Sequence, residues 1–218
     1  MMTIEPYSAE REWTVEGIPV LTATVSVPHP VPEKEWRRMR RYYQLQCRSY
    51  LRYCEKWLLP QAETEYREAL AASAPLPCFR AELNYCITYQ DDRFLSLYTY
   101  SREVTVPGPP LVTRRGDTWD LASGYPVPLS AWFPQSRSWK RRLLDFAAEE
   151  IRAQERAGVA RYREGWSREL RRRFNPQNYY LTAEGLVFFF PMYAIAPSVE
   201  GIPTFLFPYD RKGPEKQA

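Results

Sequence analysis

The chain has 218 residues, of which 44% are hydrophobic and 26% are charged, and its formal net charge is +4. This composition is typical of a soluble globular protein and excludes a disordered or fibrous chain. The opening residues contain acids and no unbroken apolar stretch, and no run approaches about 18 apolar residues, so we expect neither a secretory signal nor a membrane span. As written, the sequence predicts a cytoplasmic protein.

The cysteines do not predict a metal site. Cys47, Cys54, Cys78 and Cys86 form no CxxC pair, and the single histidine, His29, cannot complete a usual zinc set at these spacings. We expect reduced cysteines that act as small hydrophobic residues. No metal or other cofactor is predicted.

The N-terminal third predicts two strands and a long helix. Residues 13–28 alternate in polarity on either side of Glu16-Gly17, which indicates a strand pair, and residues 1–12 are expected to be flexible. From Pro32, apolar residues recur every three or four positions, which is typical of an amphipathic helix. Pro60 allows either a kink or a fresh helical start, and the helix is expected to reach about Ala74.

The middle of the chain predicts hairpins. Residues 79–100 alternate around Gln90-Asp91-Asp92, which indicates a β-hairpin. The segment PGPPLVTRRG, residues 107–116, is predicted to be a stiff loop. Residues 117–129 predict two short strands with a turn at Ser123-Gly124.

The C-terminal part predicts a second helical region over residues 137–174, with possible breaks at Gly158 and Gly165. Two strands around Ala183-Glu184-Gly185 and a last strand in GIPTFLFPY follow, and residues 211–218 are expected to be a disordered tail. The element order predicts an α+β fold with an antiparallel or mixed sheet and two long amphipathic helices packed on one face. We expect one domain over residues 13–210, with a strand pair and helix in 13–74 and hairpins, helix and final strands in 75–210.

The most apolar stretch runs from Leu186 to Asp210 and contains four prolines. We expect Val187 and Phe189, together with Phe205 and Phe207, to face the helices, and Phe188 and Phe190 to point the other way. That second face is then either buried by another layer or exposed as an aromatic protein interface.

The motifs of common enzymes are missing from the sequence. There is no GxGxxG, no GxxxxGK[ST] and no GxSxG, and His29 lies between two prolines without a recognisable nucleophile. Two acidic pairs remain, Asp91-Asp92 and Asp117 with Asp120. Turn formation is the favoured role for both pairs, and the alternative for Asp117 and Asp120 is hydrolase chemistry with or without a metal.

Both helical regions are basic. Residues 33–56 hold eight Lys and Arg against three acids, and residues 137–173 hold twelve against six. Such surfaces bind anionic polymers in some proteins. Because the acids are interspersed and no nucleic-acid-binding module is recognisable, we favour a solvated outer face and no nucleic acid partner.

Three segments occur in an order that resembles a known family: YCITYQDDRFLSLYTYS, DTWDLASGYPVPLSAWF and NYYLTAEGLVFFFPMYAIAPSVEGIPTFLFPY. Together they resemble the C-terminal sensor domain shared by the anti-sigma factor RsiV and the peptidoglycan deacetylase PdaC of Gram-positive bacteria. The resemblance covers about Ile18 to Tyr209. It implies a noncatalytic recognition module for a lysozyme-like protein or an envelope polysaccharide, and an extracytoplasmic location if a segment precedes this sequence.

The chain departs from this family in two segments. The glycine-rich, histidine-containing loop of the family is replaced by EVTVPGPPLVTRRG, and Ala194 and Ser198 stand where the family often has a carboxylate and a tyrosine. We expect ligand contacts from Pro109, Arg114 and Arg115 in the stiff loop Val106–Arg115, and from Tyr193. The partner and the oligomeric state are not predicted.

Overall fold

The computed structural model describes residues 2–32, 34–105, 108–134 and 136–209, and the chain divides into two compact units. Unit 1 comprises Met1–Tyr85 and Thr99–Val112, and unit 2 comprises Cys86–Tyr98 and Thr113–Ala218. The predicted C-terminal tail lies outside the described residues.

Strands and helices are both abundant, which confirms the predicted α+β class. One mixed sheet has its strands in chain order: β1 (Thr3–Val15), β2 (Ile18–Val31), β3 (Phe79–Gln90), β4 (Phe94–Val104), β5 (Leu111–Asp120) and β6 (Tyr125–Pro126). A second, antiparallel sheet contains β7 (Tyr179–Leu181), β8 (Gly185–Phe189) and β9 (Thr204–Pro208). The α-helices are α1 (Arg37–Tyr53), α2 (Leu59–Ala71), α3 (Trp139–Ala157) and α4 (Trp166–Arg173).

In unit 1, the first hairpin is longer than the alternation predicts. Residues 3–12, which we expected to be flexible, pair antiparallel with β2, beginning with Thr3 opposite Val31. Pro6 and the charged residues of β1 obscure the strand pattern, but an edge strand tolerates both. The predicted turn is confirmed, because Glu16 and Gly17 both have positive φ, 51° and 80°. Tight two-residue hairpin turns need positive φ to match the right-handed twist of the strands that they join.

The helical stripe of unit 1 changes register before Pro60. A π-helical turn, Cys54–Leu58, joins α1 to α2, and Pro60 lies in the first turn of α2, where it has no N–H to donate. The wider turn shifts the buried face by one residue, so Leu58 is buried whereas Trp57 is 56% exposed. An uninterrupted α-helical spacing of three or four residues from Cys54 would have placed Trp57 on that face.

A polar group is buried beneath the end of α1. The Glu103 side chain of β4 is 5% exposed, and its carboxylate accepts a hydrogen bond of 2.9 Å from the Tyr53 hydroxyl. Desolvation raises the pKa of Glu103, and the hydrogen bond from Tyr53 partly opposes that effect. The folded state therefore holds this proton more tightly than the unfolded state does.

We expect the raised pKa of Glu103 to make the unfolding free energy fall as pH rises above the unfolded carboxyl's value of 4.5. Glu103→Gln has no carboxyl group to titrate at this position. The unfolding free energy of the variant minus that of wild type should therefore be higher at about pH 8 than at about pH 4. Urea unfolding at both pH values measures the difference. The exposed Glu68→Gln serves as control, and an equal pH response of wild type and Glu103→Gln would contradict the assignment.

The core of unit 2 lies between α3 and the second sheet. Phe188, Phe190, Phe205 and Phe207 share one buried cluster with Leu143, Phe146, Ala147 and Ile151 of α3. Val187 and Phe189 pack on the other side, with Tyr180, Tyr98 and Ile202. Our assignment of Val187 and Phe189 to the helical side is thus wrong. The period of two separates the faces without saying which one meets the helix.

The aromatic stretch is core rather than interface. All five residues of β8 are buried, and Phe190 after it is 0% exposed. The second face is therefore buried, which was the favoured interpretation, and the alternative of an exposed aromatic face is wrong for these residues. Within the part of the chain that the structure describes, no helix combines the length and apolarity that a membrane span requires.

Two predicted boundaries change in unit 2. Helix α3 ends at Gly158, whose φ of 66° provides a left-handed C-cap, and α4 begins after Gly165, which has a φ of 74°. Strand β5 begins at Leu111, so most of the predicted stiff loop is strand. The Pro-Gly-Pro-Pro sequence before Leu111 indicates a loop, and we therefore did not assign the alternating residues that follow it to a strand.

Candidate functional site

Helix α4 presents arginines on most of its surface. Leu170 is buried and Trp166 is half-buried, and these two residues, one turn apart, anchor a single face of the helix. Arg168, Arg171, Arg172 and Arg173 are consequently exposed on the remaining faces. The sequence WSRELRRR determines this arrangement, because its two apolar residues stand four positions apart.

A groove of about 340 Å³ lies beside α4, within unit 2. Its cationic lining consists of Arg163, Arg172 and Arg173, and its acidic lining consists of Glu164 and Glu169. Trp166, Tyr193 and Ala194 complete the walls. We call this the α4 groove; its volume is at the lower end of the roughly 300–1,000 Å³ common for ligand pockets.

Tyr193 is held at the groove in an unusual backbone conformation. Its φ is 67°, in the left-handed region that costs a non-glycine residue roughly 1–2 kcal/mol. Arg163 stabilises this conformation by donating from its guanidinium to the Tyr193 carbonyl at 2.8 Å and from its backbone N–H to the Ile195 carbonyl at 2.9 Å. The Tyr193 side chain remains 39% exposed.

The carboxylate of Glu169 lies among the arginines of the groove. It accepts hydrogen bonds from Arg173 Nε at 3.1 Å and from an Arg172 terminal nitrogen at 3.4 Å. The Arg173 hydrogen bond is the main cause that lowers the pKa of Glu169. Glu169 is therefore an ionised acceptor at neutral pH, and it helps to position the two guanidinium groups.

A second, more open groove of about 580 Å³ lies on the other side of Arg172. It is lined by Ser167, Arg168, Arg171 and Arg172, with no acidic residue among them. Arg172 lines both grooves. Arginines thus line a continuous series of positions around α4.

The predicted contact residues lie in different places. Pro109 is exposed in unit 1, and Val106 lies outside the described residues. Arg114 is on β5, where its guanidinium lies 4.5 Å from the Tyr98 ring centroid and 5.6 Å from that of Phe189. Arg114 also donates to the Thr204 hydroxyl at 3.3 Å. These contacts give Arg114 a packing role.

Arg115 and the acidic residues near it also have local contacts. Arg115 lies 3.6 Å from the carboxylate of Asp117, which is 8% exposed. Asp120 accepts a 2.8 Å hydrogen bond from the Ser123 N–H, as a turn residue does. Among the described residues, no group of three or more His, Cys, Asp or Glu side chains is arranged to hold a metal ion.

Asp91, in the first acidic pair, also has a turn role. Its carboxylate accepts backbone hydrogen bonds from Arg93 at 2.8 Å and Phe94 at 2.6 Å, and one from the Tyr89 hydroxyl at 2.6 Å. These bonds close the turn between β3 and β4. The turn interpretation of Asp91 agrees with this geometry.

Of the four predicted ligand-contact residues, Pro109, Arg114, Arg115 and Tyr193, only Tyr193 lines the α4 groove. The groove arginines belong to the basic region 137–173, which we had interpreted as a solvated face. The available signal was the run Arg171–Arg173 at the end of a short helix that begins after Gly165. The approach of residues 193–194 to that helix has no signature in the sequence.

The comparisons with known proteins identify part of the chain. The family model described as "Protein of unknown function (DUF3298)" matches residues 133–210. The chain is thus similar to DUF3298 proteins over residues 133–210. The whole α4 groove lies within this matched segment.

Two solved structures have a similar fold over nearly the whole chain. A DUF3298 family member from Bacteroides fragilis is 14% identical, with a TM-score of 0.69, over 95% of this chain and 90% of that one. A DUF3298 family protein from Pseudomonas aeruginosa is 15% identical, with a TM-score of 0.58, over 96% of this chain and 91% of that one. At these identities the likeness shows the fold alone.

No curated protein matches the sequence. The matched family and the two structures name neither RsiV nor PdaC, so the relation to those proteins stays a prediction.

Proposed function

We propose that this protein is a noncatalytic recognition domain that binds an acidic ligand in the α4 groove of its DUF3298-like segment. The observation that carries this proposal is the arrangement of Arg163, Arg172 and Arg173 around a groove that also presents an exposed tyrosine. Guanidinium groups bind carboxylates, sulfates and phosphates through paired, charge-assisted hydrogen bonds. Arginine and tyrosine are also enriched where proteins bind their partners.

The strained backbone at Tyr193 supports a binding role. Residues in sparsely populated conformations cluster at ligand sites, where the surrounding structure holds them in place. Here Arg163 both lines the groove and fixes the Tyr193 carbonyl. The backbone that carries the Tyr193 ring is thereby fixed before a ligand arrives, which reduces the entropy lost on binding.

Binding of dextran sulfate, a synthetic polyanion, tests this proposal. We expect saturable binding that weakens as salt rises, and a loss of about tenfold or more in Arg172→Gln/Arg173→Gln, because a hydrogen bond to a charged group contributes roughly 1.5–3 kcal/mol. Calorimetry at about 50 and 200 mM salt measures both effects.

The matched control is Arg48→Gln/Arg52→Gln on α1. It removes the same charge from exposed positions of the other unit. Equal weakening by the two double variants would show that net charge, not the α4 surface, attracts the polymer. That result would overturn the proposal.

The family resemblance supplies a second candidate ligand, a lysozyme-like protein. Animal-type lysozyme is basic, so its charge has the same sign as the α4 surface and long-range attraction is not expected. Calorimetry with lysozyme tests this candidate directly. Binding that survives high salt and is unchanged in Arg172→Gln/Arg173→Gln would favour the lysozyme-like ligand over an acidic one.

A further inference from the structure

Resting on the proposed function, we infer that the acidic ligand is a carboxylated polysaccharide, bound by a sugar ring and its carboxylate in the α4 groove. The inference comes from the mixed chemistry of the lining. Arginines, glutamates and two aromatic side chains, the exposed Tyr193 and the half-buried Trp166, line the same small volume. A ligand that fits all three must carry an anion, hydroxyl donors and an apolar face.

The arginines account for the anion. Arg172 and Arg173 are 68% and 54% exposed, so their remaining donors are accessible beside the Glu169 carboxylate. A uronic acid carboxylate accepts such donors in pairs. Because Arg172 also lines the second groove with Arg168 and Arg171, a neighbouring carboxylate of the same polymer has a matching cationic site.

The glutamates distinguish a sugar from other polyanions. Glu164 and Glu169 line the groove, and an ionised carboxylate only accepts hydrogen bonds. Sugar hydroxyls donate to such a group. Nucleic acid phosphates, polyphosphate and sulfates have no donor to offer at neutral pH, so these two carboxylates repel them.

The aromatic residues match the ring of a sugar. Tyr193 presents an apolar body with a polar tip at the groove, and Trp166 forms another part of the wall. Arg152 lies 5.8 Å from the Trp166 ring centroid and Tyr162 lies 6.4 Å from it, so the tryptophan is already packed by its own chain. Tyr193 is therefore the expected stacking residue.

Oligogalacturonides of defined length are the probe, and inorganic polyphosphate, which has no sugar ring and no hydroxyl groups along its chain, is the reference ligand. We expect oligogalacturonide binding to strengthen with length until both grooves are occupied, with neutral dextran inert. The variant Glu164→Ala gives opposite signs for the two ligands. Its oligogalacturonide affinity should fall about fivefold or more through the lost acceptor, whereas its polyphosphate affinity should rise through the lost repulsion.

Tyr193→Asn supplies the second variant. Asparagine tolerates the left-handed backbone well for a non-glycine residue, so the variant removes the ring while keeping the loop conformation. We expect about a tenfold loss for oligogalacturonide and a change below about twofold for polyphosphate, which has no ring to stack. Unfolding measurements verify that both variants fold as wild type does.

The outcomes separate the inference from the proposed function. Arginine-dependent binding of dextran sulfate without binding of oligogalacturonide would overturn the inference of a carboxylated polysaccharide ligand and retain the proposed acidic-ligand site. Tighter binding of poly-glutamate or single-stranded DNA than of oligogalacturonide would also overturn the polysaccharide. Failure to bind any of these ligands would overturn both.

Discussion

Gly116→Ala is expected to prevent folding of unit 2 or to leave it severely destabilised. A Cβ at this position would lie 1.8 Å from the carbonyl oxygen and 2.6 Å from the carbonyl carbon of Tyr179. Both atoms belong to backbone, which cannot rotate away as a side chain does. Relief therefore requires β5 and β7 to separate locally.

The cost of that separation is large because buried polar contacts lie nearby. The Ser96 hydroxyl accepts from the Leu181 N–H at 2.8 Å and lies 2.8 Å from the Thr118 hydroxyl. We expect a loss above about 4 kcal/mol, comparable with the whole stability of a marginal domain. Soluble yield, near-ultraviolet circular dichroism and thermal unfolding measure it.

Gly108→Ala is the matched control for Gly116→Ala. Its Cβ would meet the Thr105 carbonyl oxygen at 3.7 Å, an ordinary van der Waals contact. We expect a change within about 1 kcal/mol, because the substitution mainly reduces the entropy of the unfolded chain. A Gly116→Ala protein that unfolds at the temperature of Gly108→Ala would refute the close approach.

Phe188→Ala is the second substitution with a large expected effect. Phe188 is 1% exposed, and its ring centroid lies 5.5 Å from that of Phe205 and 6.4 Å from those of Phe174 and Phe190. Removing the ring leaves a cavity within a close-packed cluster. We expect unfolding free energy to fall by about 3–5 kcal/mol.

Leu206→Ala tests whether burial causes the Phe188 effect. Leu206 belongs to the same small sheet, on β9, but its side chain is 41% exposed. We expect a loss of less than about 1.5 kcal/mol, measured by the same urea titration. Similar losses in Phe188→Ala and Leu206→Ala would contradict the assignment of Phe188 to the core.

The secondary structure followed from the sequence wherever local chemistry decides it. The turns at Glu16-Gly17 and around Asp91 were predicted because tight turns favour positive φ or a side-chain acceptor. Gly158 and Gly165 bound the two C-terminal helices for the same reason. The π turn before Pro60 was not predicted, because a proline indicates disturbed hydrogen bonding without specifying its geometry.

The candidate site was less accessible to sequence reasoning. Arg114 was expected in a loop as a ligand donor, but β5 carries it into contact with the rings of Tyr98 and Phe189. Tyr193 was selected through the family resemblance, with no indication of its neighbours. The arginines of α4 appeared in the sequence as part of a solvated basic helix.

The amino-acid sequence by itself determined the α+β class, the main hairpins and the arginine-covered face of α4. Each of these depends on periodicity or turn preference over a few neighbouring residues. Tertiary structure alone decided which face of β8 meets α3, because the residues on the two faces of this strand are similarly apolar. It also decided that Arg163 and Tyr193, thirty residues apart, meet at one groove through a 2.8 Å hydrogen bond. Such contacts form only when the packing of helices and strands brings distant parts of the chain together, and local sequence patterns do not encode that packing.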